Sequence, residues 1–112
     1  MDVTIEKKDN CVVINVIGRL DTTNFKTLEE QFLQLIAEGN LQLIVDCIKL
    51  DYVSSSGLRV FLVALKTLTK KQGKLFFCNL NEELTEIFEV SGFISIFNVV
   101  ASKDAAFSEC MA

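Results

Sequence analysis

The chain contains no histidine, no tryptophan and no proline among its 112 residues. Without histidine it can form neither a Ser-His-Asp nor a Cys-His catalytic set, and it lacks the commonest transition-metal ligand. The phosphate-binding loop, the dinucleotide fingerprint and the Gly-x-Ser-x-Gly nucleophile elbow are missing as well. We therefore expect that the protein is not an enzyme and that it uses no cofactor and no metal ion.

Long apolar runs are also absent, since none reaches the roughly 18 residues that a membrane span needs. The first residues do not have the basic and then apolar layout of a signal peptide. A net charge of −4 argues against a nucleic-acid partner, which would require a basic surface. Half of the residues are apolar, so we expect one globular domain over residues 1–112, located in the cytoplasm.

The four cysteines lie far apart, at Cys11, Cys47, Cys78 and Cys110. No two of them have the close spacing of a zinc site or of a redox motif. The first three lie in or just beyond apolar runs, where cysteine behaves as a small hydrophobic residue. We interpret all four as reduced thiols with structural roles.

Strand-like and helix-like segments alternate along the chain, with glycines between them. The predicted strands cover residues 3–6, 11–17, 41–47, 74–79 and 93–100. The predicted helices are one from Phe25 to Gly39, a central one from Ser55 or Ser56 to Gly73, one from Asn81 to Gly92, and a short helix or tail at 102–109. This order predicts an α/β fold with a mixed sheet of four to five strands and about four helices, packed mainly on one face.

The most unusual stretch lies at the start of the central helix, where Ser54, Ser55 and Ser56 precede Gly57. Serine is favoured at a helix N-cap because its oxygen accepts a hydrogen bond from an unpaired first-turn N–H. Only one serine can be the cap, so at least one hydroxyl remains free near the positive end of the helix. Glycine inside a helix costs roughly 1 kcal/mol relative to alanine, which indicates that something approaches the backbone closely there.

The central helix is predicted to be apolar on two sides. Opposite its core-facing side lies a second stripe of Ser56, Val60, Val63 and Thr67. A helix that is apolar on two sides is buried between layers or presents one side to a partner. We predict that Val60, Val63 and Thr67 face a partner.

Residues 53–60, which read Val-Ser-Ser-Ser-Gly-Leu-Arg-Val, resemble the signature loop of STAS domains, the anti-sigma factor antagonists and their relatives. The resemblance implies that Ser56, immediately before the glycine, is the target of a serine kinase that is also the binding partner. Many antagonists carry an aspartate two residues before the phosphoacceptor, where this chain has Ser54. Gly18-Arg-Leu-Asp21 resembles the family's glycine-x-leucine-aspartate turn, which implies that Asp21 lies near the phosphoacceptor. A charge or cap at a helix N-terminus explains Asp21 as well, and the two interpretations are compatible.

The resemblance implies a phospho-switch. The unphosphorylated form would bind a serine kinase that doubles as an anti-sigma factor, phosphorylation at Ser56 would abolish this binding, and a phosphoserine phosphatase would restore it. The predicted partner-binding residues are Asp21, Thr22, Ser54, Ser55, Gly57, Val60, Val63 and Thr67.

The sequence leaves four alternatives open. The chain could be a STAS interaction module that is never phosphorylated and serves as a scaffold or as an accessory subunit of a transporter or signalling complex. It could be a phosphoaspartate receiver with Asp46 as acceptor, although the first strand lacks an acidic pair and the chain is about one βα unit short. Asp46 and Asp51 could also hold magnesium, but we favour a polar strand end. A weak homodimer is left open too.

Overall fold

The strands form one mixed sheet in the computed structural model, which describes residues 1–111. The six strands found there are β1 (Asp2–Lys8), β2 (Cys11–Leu20), β3 (Gln42–Asp46), β4 (Leu50–Val53), β5 (Lys74–Cys78) and β6 (Asn98–Val100). Their spatial order is β1-β2-β3-β5-β6, and β4 pairs with the second half of β2. Only the β1–β2 pair is antiparallel. The carboxyl ends of the other strands therefore meet at one edge, where open α/β sheets place their sites.

Four α-helices cover the sheet: α1 (Phe25–Ala37), α2 (Ser55–Lys70), α3 (Glu82–Val90) and α4 (Lys103–Cys110). Side chains alternate between the two faces along each strand, so β2 sends Val12 and Ile14 to one side and Cys11 and Val13 to the other. The first face forms the larger core with α1, α2 and α3, while α4 packs on the second face. Among residues 1–111, no helix is both long and apolar enough to span a membrane.

Aromatic rings fill the centre of the larger core. The ring centroids of Phe61 and Phe77 lie 4.9 Å apart and those of Phe77 and Phe88 lie 5.6 Å apart, both pairs edge to face. Each of these rings is fully buried. They come from α2, β5 and α3, so this cluster ties the central helix to the sheet and to its neighbour.

The predicted α/β fold with a mixed sheet and helices mainly on one face is confirmed, and α2 begins at Ser55 as expected. The strand count is higher than the predicted four to five, because Leu50–Val53 is a strand and not part of a loop. The predicted strand over 93–100 is partly wrong, since Phe93–Ser95 forms a 3₁₀ turn and only Asn98–Val100 pairs with β5. Ala112, the last residue of the predicted domain, lies outside the described residues.

The prediction of four reduced cysteines is wrong for two of them. Cys11 and Cys110 are joined by a disulfide across 99 positions of sequence, because α4 packs its last residue over the start of β2. Cys47 and Cys78 are free and buried, as expected. Burial raises the pKa of the Cys78 thiol to about 12, with the nearby Asp46 carboxylate contributing. Burial also raises the pKa of Cys47 well above its ordinary value.

Gly57 is explained by packing inside the molecule. It is buried in the first turn of α2, and a Cβ placed on it would lie 2.7 Å from Leu20 Cγ and 2.8 Å from Val53 Cγ1. Leu20 and Val53 are themselves almost fully buried and cannot easily move away. The close neighbours that the glycine indicated are therefore the ends of β2 and β4, and the prediction that Gly57 contacts a partner is wrong.

Replacing Gly57 by alanine tests this packing. We expect Gly57→Ala to lower the free energy of unfolding by about 1 kcal/mol, because an overpacking cost of roughly 1–3 kcal/mol exceeds the helix-propensity gain of about 1 kcal/mol. Urea denaturation measures the change. The matched control is Ser55→Ala in the same turn, where the side chain is exposed and the effect should stay below about 0.5 kcal/mol. A Gly57→Ala protein as stable as the native one would contradict the packing argument.

Candidate functional site

The candidate site lies where three segments meet at the carboxyl edge of the sheet: the turn after β2, the end of β4 and the first turn of α2. Leu20 at the end of β2 pairs in register with Val53 at the end of β4. One residue later the Ser54 backbone N–H donates a hydrogen bond of 2.9 Å to the Leu20 carbonyl oxygen. This pairing holds the Asp21 turn next to the N-terminus of α2.

Ser54 is the N-cap of α2. Its backbone is extended, and its Oγ accepts a hydrogen bond of 3.2 Å from the Gly57 N–H. An aspartate caps a helix in the same way, with a side-chain oxygen that accepts from the third residue on. The departure from the antagonist pattern at this position therefore leaves the start of the helix unchanged.

Ser55 and Ser56 are the two serines left over. Ser55 is exposed and Ser56 is half-buried, and within residues 1–111 neither hydroxyl has a hydrogen-bond partner. Their backbone N–H groups belong to the first turn and have no acceptor inside the helix. A free hydroxyl thus lies beside unpaired donors at the positive end of a helix 16 residues long.

Asp21 is held in a tight local turn. The Thr23 hydroxyl and backbone N–H both donate to Asp21 Oδ1, at 2.6 and 2.9 Å. These bonds lower the pKa of Asp21, and the Arg19 guanidinium, with Nε 3.9 Å from Asp21 Oδ2, contributes in the same direction. The carboxylate therefore carries its negative charge at neutral pH. The Asp21 carboxylate accepts its hydrogen bonds from Thr23, and the N-cap position of α1 is Asn24. Asp21 is therefore not a helix cap.

Arg19 connects the turn to the neighbouring strand. Its guanidinium carbon lies 4.4 Å from the centroid of the Tyr52 ring on β4, within the range of a cation–π contact. The Asn24 amide group donates to the Arg19 carbonyl oxygen at 2.9 Å, and Asn24 Oδ1 accepts from the Asp21 N–H at the same distance. The rim of the site therefore carries charges of both signs on a hydrogen-bonded turn.

The predicted partner-facing stripe on α2 is only partly available. Val60 is 1% exposed and belongs to the larger core, so the prediction that it faces a partner is wrong. The reason is that α2 packs against α1 as well as against the sheet, which covers more than one side of it. Val63 and Thr67 are half-buried and Thr22 is exposed, so their role in binding stays a prediction.

Asp46 is not arranged as a metal ligand. It is only 5% exposed, and its Oδ1 accepts from the Asn79 amide group at 2.9 Å and from the Ile48 backbone N–H at 3.1 Å. Asp51 is exposed on β4. Among residues 1–111, no group of three or more histidine, cysteine or acidic side chains could hold a metal ion. The hydrogen bonds of Asp46 to Ile48 and Asn79 are those of a polar residue at a strand end, which is the interpretation that we favoured from the sequence.

Five residues of the site were not assigned to it from the sequence: Leu20, Thr23, Asn24, Arg19 and Tyr52. The first fills the space that Gly57 leaves, and the next two build the turn that fixes Asp21. The Asp-Thr-Thr-Asn composition was a usable signal, because aspartate and asparagine side chains bond to backbone two or three residues away. Nothing in the sequence indicated the contact of Tyr52 with Arg19, which depends on the pairing of β2 with β4.

Comparison with known proteins agrees with the resemblance found in residues 53–60. The family model described as the STAS domain matches residues 2–106. A Bordetella bronchiseptica protein, BtrV, which is named as an anti-sigma factor antagonist, is 38% identical over 106 residues; the match covers 95% of this chain and 91% of BtrV.

Solved structures agree on the fold. A Thermotoga maritima protein named as an anti-sigma factor antagonist superposes with a TM-score of 0.93 at 15% identity, over 98% of this chain and 95% of its own. The Bacillus protein SpoIIAA has been solved in two forms. The unphosphorylated form gives a TM-score of 0.79 at 18% identity, covering 99% of each chain. The phosphorylated form gives 0.76 at 21% identity, covering 96% of this chain and 98% of the other.

The cap assignment at Ser54 makes a prediction of its own. Ser54→Ala should lower the free energy of unfolding by about 1 kcal/mol, because the Gly57 N–H loses its acceptor. Ser54→Asp should melt close to the native protein, since a carboxylate accepts the same bond and interacts favourably with the helix dipole. Thermal and urea unfolding compare the two variants. The assignment of the cap fails if Ser54→Ala is as stable as Ser54→Asp.

Proposed function

The chain belongs to the STAS domain family, and from this premise we propose that it is an anti-sigma factor antagonist switched by phosphorylation at Ser56. In this proposal the unmodified protein binds a serine kinase that is also an anti-sigma factor, in the cytoplasm. Phosphorylation of Ser56 ends the binding, and a phosphoserine phosphatase restores it. The protein itself performs no catalysis.

The observation that carries the proposal is the free hydroxyl of Ser56 at the start of α2. Ser54 is occupied as the cap, so its oxygen already has a structural role. Ser56 has no hydrogen-bond partner within the described residues and is half-buried, so a phosphate can be added without breaking an existing hydrogen bond of its hydroxyl. The hydroxyl of Ser55 is free as well. The resemblance of residues 53–60 to the family loop favours Ser56 as the phosphoacceptor.

A phosphate at Ser56 is compatible with the folded domain. It adds about −1.5 to −2 charges and three strong acceptor oxygens. The unpaired first-turn N–H groups and the helix dipole favour this charge by roughly 0.3–1 kcal/mol at an exposed position. The ionised Asp21, on the turn held beside α2, opposes it by repulsion of a similar order. The two effects nearly cancel, so the domain keeps its fold.

The same phosphate has a much larger effect at an interface. A dianion that a partner covers must lose its hydration, which costs several kcal/mol unless the partner supplies matched donors. The ionised Asp21 and the acidic character of the whole chain add repulsion against an acidic partner. A loss of about 2.8 kcal/mol corresponds to a hundredfold loss of affinity. This difference between fold and interface is what makes the residue suitable as a switch.

Substitutions at Ser56 test the switch directly. With the cognate kinase, Ser56→Ala should bind constitutively and accept no phosphate, and Ser56→Asp should lose at least about a hundredfold in affinity while melting close to the native protein. Calorimetry gives the affinity and intact mass after incubation with ATP gives the phosphate count. The matched control is Ser55→Ala, which should still be phosphorylated. Equal labelling of Ser56→Ala and native protein would refute the assignment, and binding without any labelling would indicate a STAS module that is not switched.

The half-buried side of α2 gives a second prediction. Val63 continues the stripe that begins at Ser56, so Val63→Asp should weaken kinase binding at least about tenfold with a small change in melting temperature. The control is Ile5→Asp on the edge strand β1, where the native side chain is 41% exposed and lies beside α1. An unfolded Val63→Asp protein would show that the position belongs to the core. Unchanged affinity would show that the stripe is not an interface.

A further inference from the structure

We propose that the disulfide between Cys11 and Cys110 is a reversible redox latch that holds α4 on the second face of the sheet. Cys11 is the first residue of β2, and Cys110 is the last residue of α4. The bond therefore fixes the far end of the helix to the strand at the centre of the fold. The near end of α4 is already tied to β6 by the chain itself.

Apart from the disulfide, few contacts hold α4 in place. Of its own side chains the helix buries only Ala106, Cys110 and part of Phe107, against the sheet residues of the second core. Its other attachments lie at the surface: Lys103 Nζ is 3.4 Å from Glu6 Oε2, and Lys8 Nζ is 4.8 Å from the Phe107 ring centroid. An exposed ion pair and an exposed cation–π contact each contribute little to stability. An isolated helix of eight residues is also too short to be stable in water. Breaking the bond should therefore release the helix.

The surroundings of the pair suit the reduced state as well as the bonded one. The side-chain oxygen of Gln42 lies 3.0 Å from Cys110 Sγ and 3.9 Å from Cys11 Sγ. A disulfide has no hydrogen to donate, whereas a thiol at either position can donate S–H to this oxygen. In the reduced pair this oxygen can therefore accept an S–H hydrogen bond.

The exchange is a balanced thiol–disulfide reaction with a low-molecular-weight thiol. In reduction, the thiolate of one small thiol attacks a sulfur of the Cys11–Cys110 bond and forms a mixed disulfide, and the other cysteine leaves as a thiolate and takes a proton. The thiolate of a second small thiol then attacks the small-molecule sulfur of the mixed disulfide and displaces the protein cysteine, which takes a proton. The products are two protein thiols and one small-molecule disulfide. Oxidation is the reverse reaction, with the small-molecule disulfide as oxidant. Both cysteines are buried, so the attack requires α4 to open locally.

Cys47 and Cys78 provide a contrast inside the same molecule. They are unbonded, and burial keeps the pKa of each thiol high, so they form little thiolate at neutral pH. Cys78 even belongs to the same second core that α4 covers, together with Val13, Ile44 and Phe76. Reduction of the latch would uncover this apolar face, which lies on the opposite side of the sheet from α2. The latch is therefore independent of the switch proposed at Ser56.

The test equilibrates the folded protein in glutathione buffers from fully reduced to fully oxidised, then alkylates free thiols and measures intact mass and amide hydrogen exchange. We expect two alkylatable cysteines to be gained on reduction, identified as Cys11 and Cys110, within a protein that keeps its circular dichroism spectrum. Amides of residues 103–110 should exchange at least about tenfold faster in the reduced form, while those of α2 should not change.

Two variants complete the test. Cys110→Ser should show the fast exchange of α4 in every buffer, and Cys78→Ala, changed on the same face, should keep the redox-dependent transition. The proposal is wrong if the pair stays reduced in fully oxidised glutathione or stays bonded in the fully reduced buffer. It is equally wrong if the bond forms and breaks while α4 exchange stays constant. If Cys110→Ser fails to fold, the native protein alone still decides between these outcomes.

Discussion

The hydrogen bond from the Ser54 N–H to the Leu20 carbonyl oxygen is the contact on which the candidate site depends. It closes the parallel pairing of β2 with β4 and so determines where the strand ends and α2 begins. Since α2 starts there, Ser54 becomes the cap and Gly57 comes to rest against Leu20 and Val53. A larger residue than glycine at position 57 would push the helix away from the strand ends. The free hydroxyl of Ser56 is therefore a consequence of backbone pairing as much as of the serine itself.

This arrangement separates stability from signalling. The core that holds the domain consists of apolar side chains from α1, α2, α3 and one sheet face, and none of the three serines belongs to it. The serines lie at the edge, where a charge can be added without displacing a core group. Because the Asp21 turn is held by hydrogen bonds to Thr23 and Asn24, its negative charge has a defined position beside α2. A modification at Ser56 can then change the surface while the fold remains constant.

Much of this could be predicted from local patterns. The alternation of β-branched runs with helical periods located the elements, and the three serines before Gly57 located the start of α2. Local patterns could not predict contacts between segments that are far apart in the sequence. Leu50–Val53 is short and half exposed, so only its pairing with β2 reveals a strand. Val60 lies on a stripe that looked free, and α1 packing on α2 buries it. Cys11 and Cys110 meet only because α4 returns to the first long strand.

The switch proposed at Ser56 requires that phosphorylation changes the charge of the site and leaves the fold unchanged. The most direct measurement is the two-dimensional amide NMR spectrum of isotope-labelled protein before and after stoichiometric phosphorylation by the cognate kinase. We expect shifts confined to the first two turns of α2 and to the turn over residues 20–24, with unchanged signals from β5, α3 and α4. Shifts that extend through the sheet, or a loss of dispersion, would show that the phosphate alters the fold.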